Sequence, residues 1–297
     1  MPVAPFTPET TRTVLEKASR EVGLDPSGAA LIRMGENAMF RLAGTPHIMV
    51  RVGRSLTAAR KETAIARWLS SYTFPAAELA SVEQPVVVDD TPATFWQFID
   101  ESDQPASSAE LGKILRELHG LPKPAGYDLP SFDPMPKVID RLANIGERLD
   151  RSEHDFLAGR YAELAESFSE LSFELEAGPI HGDYHAANLM RDTTGTVRLI
   201  DFEDFCRGPR EWDACVQAVR YSALGWIDDH EYRNYVDAYG FDPLGWDGFP
   251  VIRAIRELNM TTWLAQQLGQ RPEVDAEVHK RIADLRDGQS PRRWRAF

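Results

Sequence analysis

Between residues 31 and 100 the apolar positions fall in short runs and alternations, a pattern of strands rather than of long amphipathic helices. Residues 37–43 and 47–52 read as strands joined by Gly44-Thr45-Pro46, a turn composition that predicts a hairpin. Across residues 57–70, Ala58, Ile65, Ala66 and Leu69 recur on a helical period with Trp68 beside them, so one helix is expected to interrupt the strands. A second hairpin is predicted from residues 84–89 and 94–99, with its turn at Asp90-Thr91-Pro92-Ala93. Pro85 marks an edge strand or a strand start, because proline cannot donate to a ladder.

Beyond Asp100 the period changes. The polar segment of residues 101–108 reads as a hinge, and it leads into a helix on which Leu111, Ile114, Leu115 and Leu118 share a face, with Ser107 or Ser108 as N-cap. Helical patterns follow at residues 137–149, 152–176, 211–223, 229–239, 249–268 and 273–287. Residues 178–204 are the exception, with short apolar pieces set among His, Asp and Asn. The expected class is α+β, divided into a strand-rich lobe at residues 1–99 and a helical lobe at residues 100–297.

Composition narrows the functions open to such a chain. Its 297 residues can bury a substantial core, and 43% hydrophobic with 27% charged content is that of a globular protein. A net charge of -13 argues against nucleic acid or an anionic membrane as partner, since both reward clustered Lys and Arg. The two cysteines, Cys206 and Cys215, cannot make a disulfide framework, which suggests a reduced cytoplasmic setting. The first residues show no basic region followed by an apolar core, and no apolar run is long enough to span a bilayer.

The chemistry concentrates in His181-Gly182-Asp183-Tyr184-His185-Ala186-Ala187-Asn188 and in Val197-Arg198-Leu199-Ile200-Asp201. A lone Asp with Asn five residues on is ordinarily a capped turn. Here a His-x-Asp, an Asn five residues later and a second Asp after a strand-like run occur in the order used by phosphoryl-transfer loops. With Ile200-Asp201-Phe202-Glu203, this segment resembles the aminoglycoside phosphotransferase and choline kinase family, the small-molecule branch of the protein-kinase-like fold. The strand-rich first third, the hinge near Phe95-Trp96-Gln97-Phe98-Ile99 and the Leu115-Arg116-Glu117-Leu118-His119 helix are similar to that family's layout.

The resemblance implies a two-lobed kinase-like fold and a Mg2+-dependent transfer of the γ-phosphate of ATP, or GTP, to a hydroxyl of a small molecule. In it, Asp183 deprotonates the hydroxyl, while Asn188 and Asp201 bind the metal through oxygen with Glu203 assisting. His181 then reads as a loop brace and His185 as a residue that holds backbone or packs; zinc on these histidines would explain neither Asn188 nor Asp201. The same resemblance makes Arg51, held by Glu62, the phosphate-contacting basic residue of the third strand. The usual residue there is Lys, and an ion pair without ligand is the other reading of Arg51 and Glu62. Gln97, Phe98 and Ile99 are expected to offer hinge backbone to the purine, with Ile48, Val50 and Leu199 as apolar walls, although such residues are core by default. The segment Met34-Gly35-Glu36-Asn37-Ala38-Met39-Phe40 sits where the resemblance puts the phosphate-covering turn; it holds a single glycine, unlike the Gly-rich loop of protein kinases, and by itself reads as a plain turn.

For the acceptor, the family offers aminoglycosides or other antibiotics, amino alcohols, sugars and other metabolites. Glu203, Asp204, Glu211, Asp213, Asp228, Asp229, Glu231 and Glu257 form an acidic inventory that adds weight to a cationic one, although most such carboxylates face solvent or cap helices. Trp226, Tyr232, Trp246 and Trp263 suit ring stacking or core packing. A pseudokinase scaffold and a protein kinase are the competing readings. Gly208-Pro209-Arg210-Glu211 follows Asp201 too soon for a long activation segment.

Overall fold

The period-2 pattern of the first third folds into five strands, β1 (Ala30–Met34), β2 (Ala38–Arg41), β3 (Ile48–Val52), β4 (Val86–Val88) and β5 (Thr91–Gln97). They form one antiparallel sheet in the order β1-β2-β3-β5-β4. The computed structural model describes residues 6–288 and 291–297. The reading of the N-terminal segment therefore rests partly on residues 1–5, which lie outside the described residues.

On β3, Ile48, Val50 and Val52 are buried while Met49 and Arg51 are half-buried, so the pleat puts Arg51 on the face opposite the apolar residues. The buried set packs with Val14, Leu15 and Ala18 of helix α1 (Pro8–Glu21). Ile48 and Val50 are thus core residues packed with α1, the default reading of their apolar side chains. The second hairpin also differs from expectation: Val88 pairs with Thr91, leaving Asp89 and Asp90 as a two-residue turn. Both have positive φ, 49° and 64°, the geometry of a type I′ turn, which Asp tolerates better than most residues. Pro92 and Ala93, expected in the turn, lie within β5. Helix α2 (Leu56–Ser71) starts at Ser55, whose hydroxyl accepts from the Ala58 N–H, and it buries Glu62, Ile65, Ala66 and Leu69.

The later helices are α3 (Ser108–Gly120), α4 (Val138–Ile145), α5 (Arg151–Ser169), α6 (Glu211–Val219), α7 (Asp229–Tyr239), α8 (Phe249–Ala265) and α9 (Pro272–Asp287). Two short antiparallel strand pairs lie among them: β6 (Gly178–Ile180) with β9 (Cys206–Gly208), and β7 (Leu189–Arg191) with β8 (Val197–Leu199). Helix α5 ends earlier than the pattern to residue 176 predicts. The N–H groups of Glu174 and Leu175 donate to the buried Glu211 carboxylate at 2.6 Å each, a bond that replaces continued helix.

The described chain divides into two units that interleave along the sequence. The first runs to Ala106 and takes in Leu121–Leu129 and Ala186–Phe205, so β7 and β8 belong with the sheet; the Leu199 carbonyl accepts from the Ala77 N–H at 2.8 Å. The second comprises Ser107–Gly120, Pro130–His185 and Cys206–Phe297. Within it α3 packs so closely on α7 that a Cβ on Gly112 would collide with the Tyr235 backbone. Among the described residues no helix is long and apolar enough to cross a membrane.

Candidate active site

In the second unit the segment from His181 is fixed before any ligand is considered. The carboxylate of Asp213, wholly buried on α6, accepts the backbone N–H of His181 at 2.7 Å and of Gly182 at 3.0 Å. His119 at the end of α3 backs Asp213 with its Nε2, 3.4 Å away, and its Nδ1 meets the Tyr239 hydroxyl at 2.9 Å. Burial pushes the His119 imidazole down from its usual range against the pull of Asp213. Tyr184, also wholly buried, donates its hydroxyl to the Leu111 carbonyl at 2.6 Å. His181 is buried with its ring edge-on to Tyr184, consistent with a brace. Asp213, assigned from sequence to the acceptor pocket, is instead a clamp on the loop backbone. The Leu-His pattern of α3 was the signal for its partner.

Asp183 emerges from this clamped loop with its side chain 52% exposed. The surrounding protein by itself raises its carboxyl, but the hydrogen bond from His185 Nε2 at 3.2 Å, with the charges of His185, His181 and Arg256, outweighs that and holds it down at about 2. A carboxylate so placed is ionised at any working pH and is available as a hydrogen-bond acceptor. His185, expected to hold backbone or pack, is the partner that sets this state.

The first unit gathers the other candidates. Asn188 is buried at the end of a 3-10 turn (Ala186–Asn188), and its carbonyl accepts the Ile200 N–H at 2.9 Å. The pairing of Leu189 with Leu199 thereby puts Asn188 and Asp201 at the same open end of the β7–β8 hairpin. Asp201 is exposed and its φ is 62°, in the left-handed region. Asn188, Asp201 and Glu203 are all oxygen donors, the set a hard cation such as Mg2+ accepts; among the described residues no group of three or more His, Cys, Asp and Glu could hold a metal by itself. Two or three protein oxygens completed by water and phosphate fit this arrangement.

Arg51 is the centre of a second cluster. Its guanidinium pairs with Glu62, which is 5% exposed, and reaches Glu203 at 3.4 Å. In the amide orientation that satisfies both side chains, the Asn37 oxygen accepts from Arg51 at 2.6 and 3.0 Å. Lys61 donates to the Glu203 carbonyl. Burial pushes the Glu62 carboxyl up to about 7, with Asp201 and Glu203 adding to the rise and Arg51 opposing it. A cleft of about 280 Å³ is lined by Asn37, Arg51, Ser55, Glu62 and Glu203 among others. The sequence places Asn37 at the start of a strand and in the phosphate-covering turn of the resemblance, not as a partner of Arg51.

The hinge stretch is partly occupied by the chain itself. The Gln97 N–H donates to the Glu78 carbonyl at 2.8 Å and the Phe98 N–H to the His47 carbonyl at 3.0 Å. Phe98 carries Arg41 over its ring at 4.6 Å, while Ile99 is half-buried. Leu199 is wholly buried.

Comparison with known proteins places this geometry among relatives. A family model described as APH, phosphotransferase enzyme family, matches residues 36–255. A homoserine kinase of Pseudomonas aeruginosa (strain UCBPP-PA14) is 27% identical over 132 residues, 44% of this chain and 42% of that protein, so the match spans less than half of that kinase. Among solved structures, amicoumacin kinase in complex with AMP-PNP, Ca2+ and Ami superposes with a TM-score of 0.74 at 14% identity, covering 96% of each chain. A choline/ethanolamine kinase family protein from Mesorhizobium loti gives 0.64 at 19% identity, again over 96% of each chain. A spectinomycin phosphotransferase bound to ADP and spectinomycin gives 0.67 at 14% identity, over 98% of this chain and 96% of that one. At these identities the superpositions establish the kinase-like fold.

Proposed function

The chain belongs to the APH phosphotransferase enzyme family, and from that membership we propose that it moves the γ-phosphate of ATP, or GTP, to a hydroxyl of a small molecule. The observation that carries the reading is the clamped loop: Asp213 fixes the backbone at His181 and Gly182, and Asp183 leaves it as a stable carboxylate. In the reaction the acceptor hydroxyl donates to Asp183, its oxygen attacks the γ-phosphorus, and the bond to the β-phosphate oxygen breaks to release ADP. The proton ends on Asp183. A carboxyl near 2 is a weak base, so it chiefly orients the hydroxyl and takes the proton late, once bond formation has acidified it.

Arg51, oriented by Glu62 and Asn37, holds phosphate oxygens as a planar fork, which accounts for Arg where the family's usual residue is Lys. When bound, Mg2+ neutralises the triphosphate and fixes the transferring group; Asn188 and Asp201 would hold it, with Glu203 as a third oxygen donor. Gln97, Phe98 and Ile99 border the purine. Since the Gln97 and Phe98 N–H groups already have partners, the Ile99 N–H and the carbonyls carry that recognition. On this reading residues 1–99, joined by Ala186–Phe205, are the nucleotide-binding part, and the helical remainder of residues 100–297 takes the acceptor. Two buried free cysteines suit a cytoplasmic setting.

The kinases and phosphotransferases matched above make antibiotics, amino alcohols and hydroxy amino acids the acceptor classes to try, with sugars beside them. Arg51 and the turn with its single Gly35 are the features favouring a pseudokinase, and the presence of Asp183, Asn188 and Asp201 together weighs against it. The test is MgATP-dependent ADP release across these acceptors and a protein mixture. Release with a small acceptor supports the reading; release with proteins alone overturns it.

A further inference from the structure

Most of the acidic inventory that suggested a cationic acceptor is taken up within the second unit. Glu211 receives the Glu174 and Leu175 N–H groups, and Asp213 clamps the catalytic loop. Asp228 and Glu231 close the capping box of α7, Asp229 pairs with Arg233 at 2.7 Å, and Glu257 lies between Arg253 and Arg292 at 2.8 and 3.1 Å. Glu203 belongs to the first unit, and there its backbone meets Lys61, a cation with no part in the mechanism above.

The turn after β8 carries two of the three candidate metal ligands, Asp201 and Glu203. Its rear is fixed by Phe202 and Phe205, both buried, whose rings meet those of Trp96 at 6.0 Å and Trp68 at 5.9 Å. Its entry is fixed by the Ile200 N–H on the Asn188 carbonyl. Between these points Asp201 is exposed and holds a φ of 62°, a conformation that is costly for a residue with a Cβ and persists only where the surroundings impose it. The exit is held by two other elements: Arg51 of β3 reaches the Glu203 carboxylate at 3.4 Å, and the Lys61 ammonium of α2 donates to the Glu203 carbonyl.

Lys61 and Glu62 are successive residues of α2 and project about 100° apart around its axis. Glu62 takes Arg51, the phosphate anchor, while Lys61 takes the backbone of the metal-binding turn. One helix thereby sets both the residue that meets phosphate and the segment that meets its metal. A charged donor makes one of the stronger hydrogen bonds, and on a backbone acceptor it fixes the chain itself rather than a side chain free to swing.

We infer that Lys61 is a positioning residue for the metal: by holding the Glu203 carbonyl it keeps Asp201 and the Glu203 carboxylate in the arrangement that receives Mg2+. This rests on the assignment of Asn188, Asp201 and Glu203 to the metal in the reading above. Lys61 itself touches neither metal nor phosphate, which sets its role apart from that of Arg51.

The test is calorimetric binding of AMP-PNP to the full chain, in EDTA and across a Mg2+ titration, with Mn2+ occupancy of the nucleotide complex read by electron paramagnetic resonance. In the unaltered chain Mg2+ should tighten AMP-PNP binding. Lys61→Met should leave affinity in EDTA unchanged and raise the Mg2+ and Mn2+ concentrations at half effect about tenfold, the scale of one charge-assisted hydrogen bond. Lys61→Arg, which keeps a charged donor, should retain most of the metal response, and Lys61→Gln, a neutral donor, should fall between. Reductive methylation of the unaltered chain reads the contact without any substitution and so survives a folding defect in the variants: Lys61 should react more slowly than Lys113, whose side chain is 74% exposed. Equal methylation rates, or an unchanged metal response in Lys61→Met, overturn the inference. Weaker AMP-PNP binding in EDTA as well would make Lys61 a phosphate contact or a general prop of the fold, and overturns it too. If Mg2+ leaves AMP-PNP binding by the unaltered chain unchanged, the metal assignment itself fails and the inference falls with it.

Discussion

At the scale of single residues, the two clusters use opposite electrostatics. Asp183 is held ionised by His185, whereas burial makes Glu62 reluctant to ionise beside Arg51. Replacing His185 with Ala removes the hydrogen bond that opposes the surrounding protein, so the Asp183 carboxyl should rise from about 2. A 13C titration of the Asp183 carboxyl reads this directly; an unmoved midpoint contradicts the role given to His185. Glu62 works in the other direction. Its folded value, about 7, lies above the ordinary 4.5, so between those values the folded chain binds the proton more tightly than the unfolded chain does. Stability should therefore decline as pH rises through that window and level off above it. Glu62→Gln should flatten this part of the pH profile of Tm. Arg51→Lys keeps the charge and loses the fork shared by Glu62 and Asn37, and should raise KM for ATP about tenfold, as expected for losing one charge-assisted hydrogen bond. Steady-state kinetics at varied ATP measures it.

At the scale of elements, what the chain shows on its face is what local chemistry decides. Helix α7 starts at Asp229 and ends at Tyr239, where the pattern predicts it, because a capping box and Gly240 in the left-handed region fix both ends locally. The N-cap at Ser107 was legible for the same reason, and its hydroxyl and Glu110 exchange bonds. Helix α1 was overlooked although Thr7 and Pro8 supply an N-cap and a first-turn proline. The end of α5 was not legible, since the acid that captures residues 174 and 175 lies 36 or more positions away in sequence. Nor does periodicity reveal which helices touch. Gly112 reads as an ordinary interior residue until α7 is seen against it. Gly112→Ala should therefore lower stability by about 1–3 kcal/mol, as overpacking does, despite alanine's better helix propensity. Urea denaturation distinguishes this from the small gain expected of an open helix position.

At the scale of the whole molecule, the sequence displays the order of strands and helices but conceals their membership. The motif from His181 to Asn188 reads as one continuous signal, yet the boundary between units falls between His185 and Ala186. Catalytic base and metal-binding candidates were thus recognisable together by spacing. The supports of each, Asp213 for one and the Arg51–Asn37 contact for the other, required the fold. The acidic residues show the opposite failure: their abundance suggested a cation site, and their partners turn out to be backbone N–H groups and arginines of the same unit. The measurement that bears most directly on the central claim is MgATP binding and ADP release compared between the unaltered chain and Asp183→Asn. The account predicts unchanged MgATP affinity by calorimetry together with a loss of turnover of about 100-fold or more, the scale of a removed general base. Turnover undiminished in Asp183→Asn, with MgATP bound equally well, would contradict it.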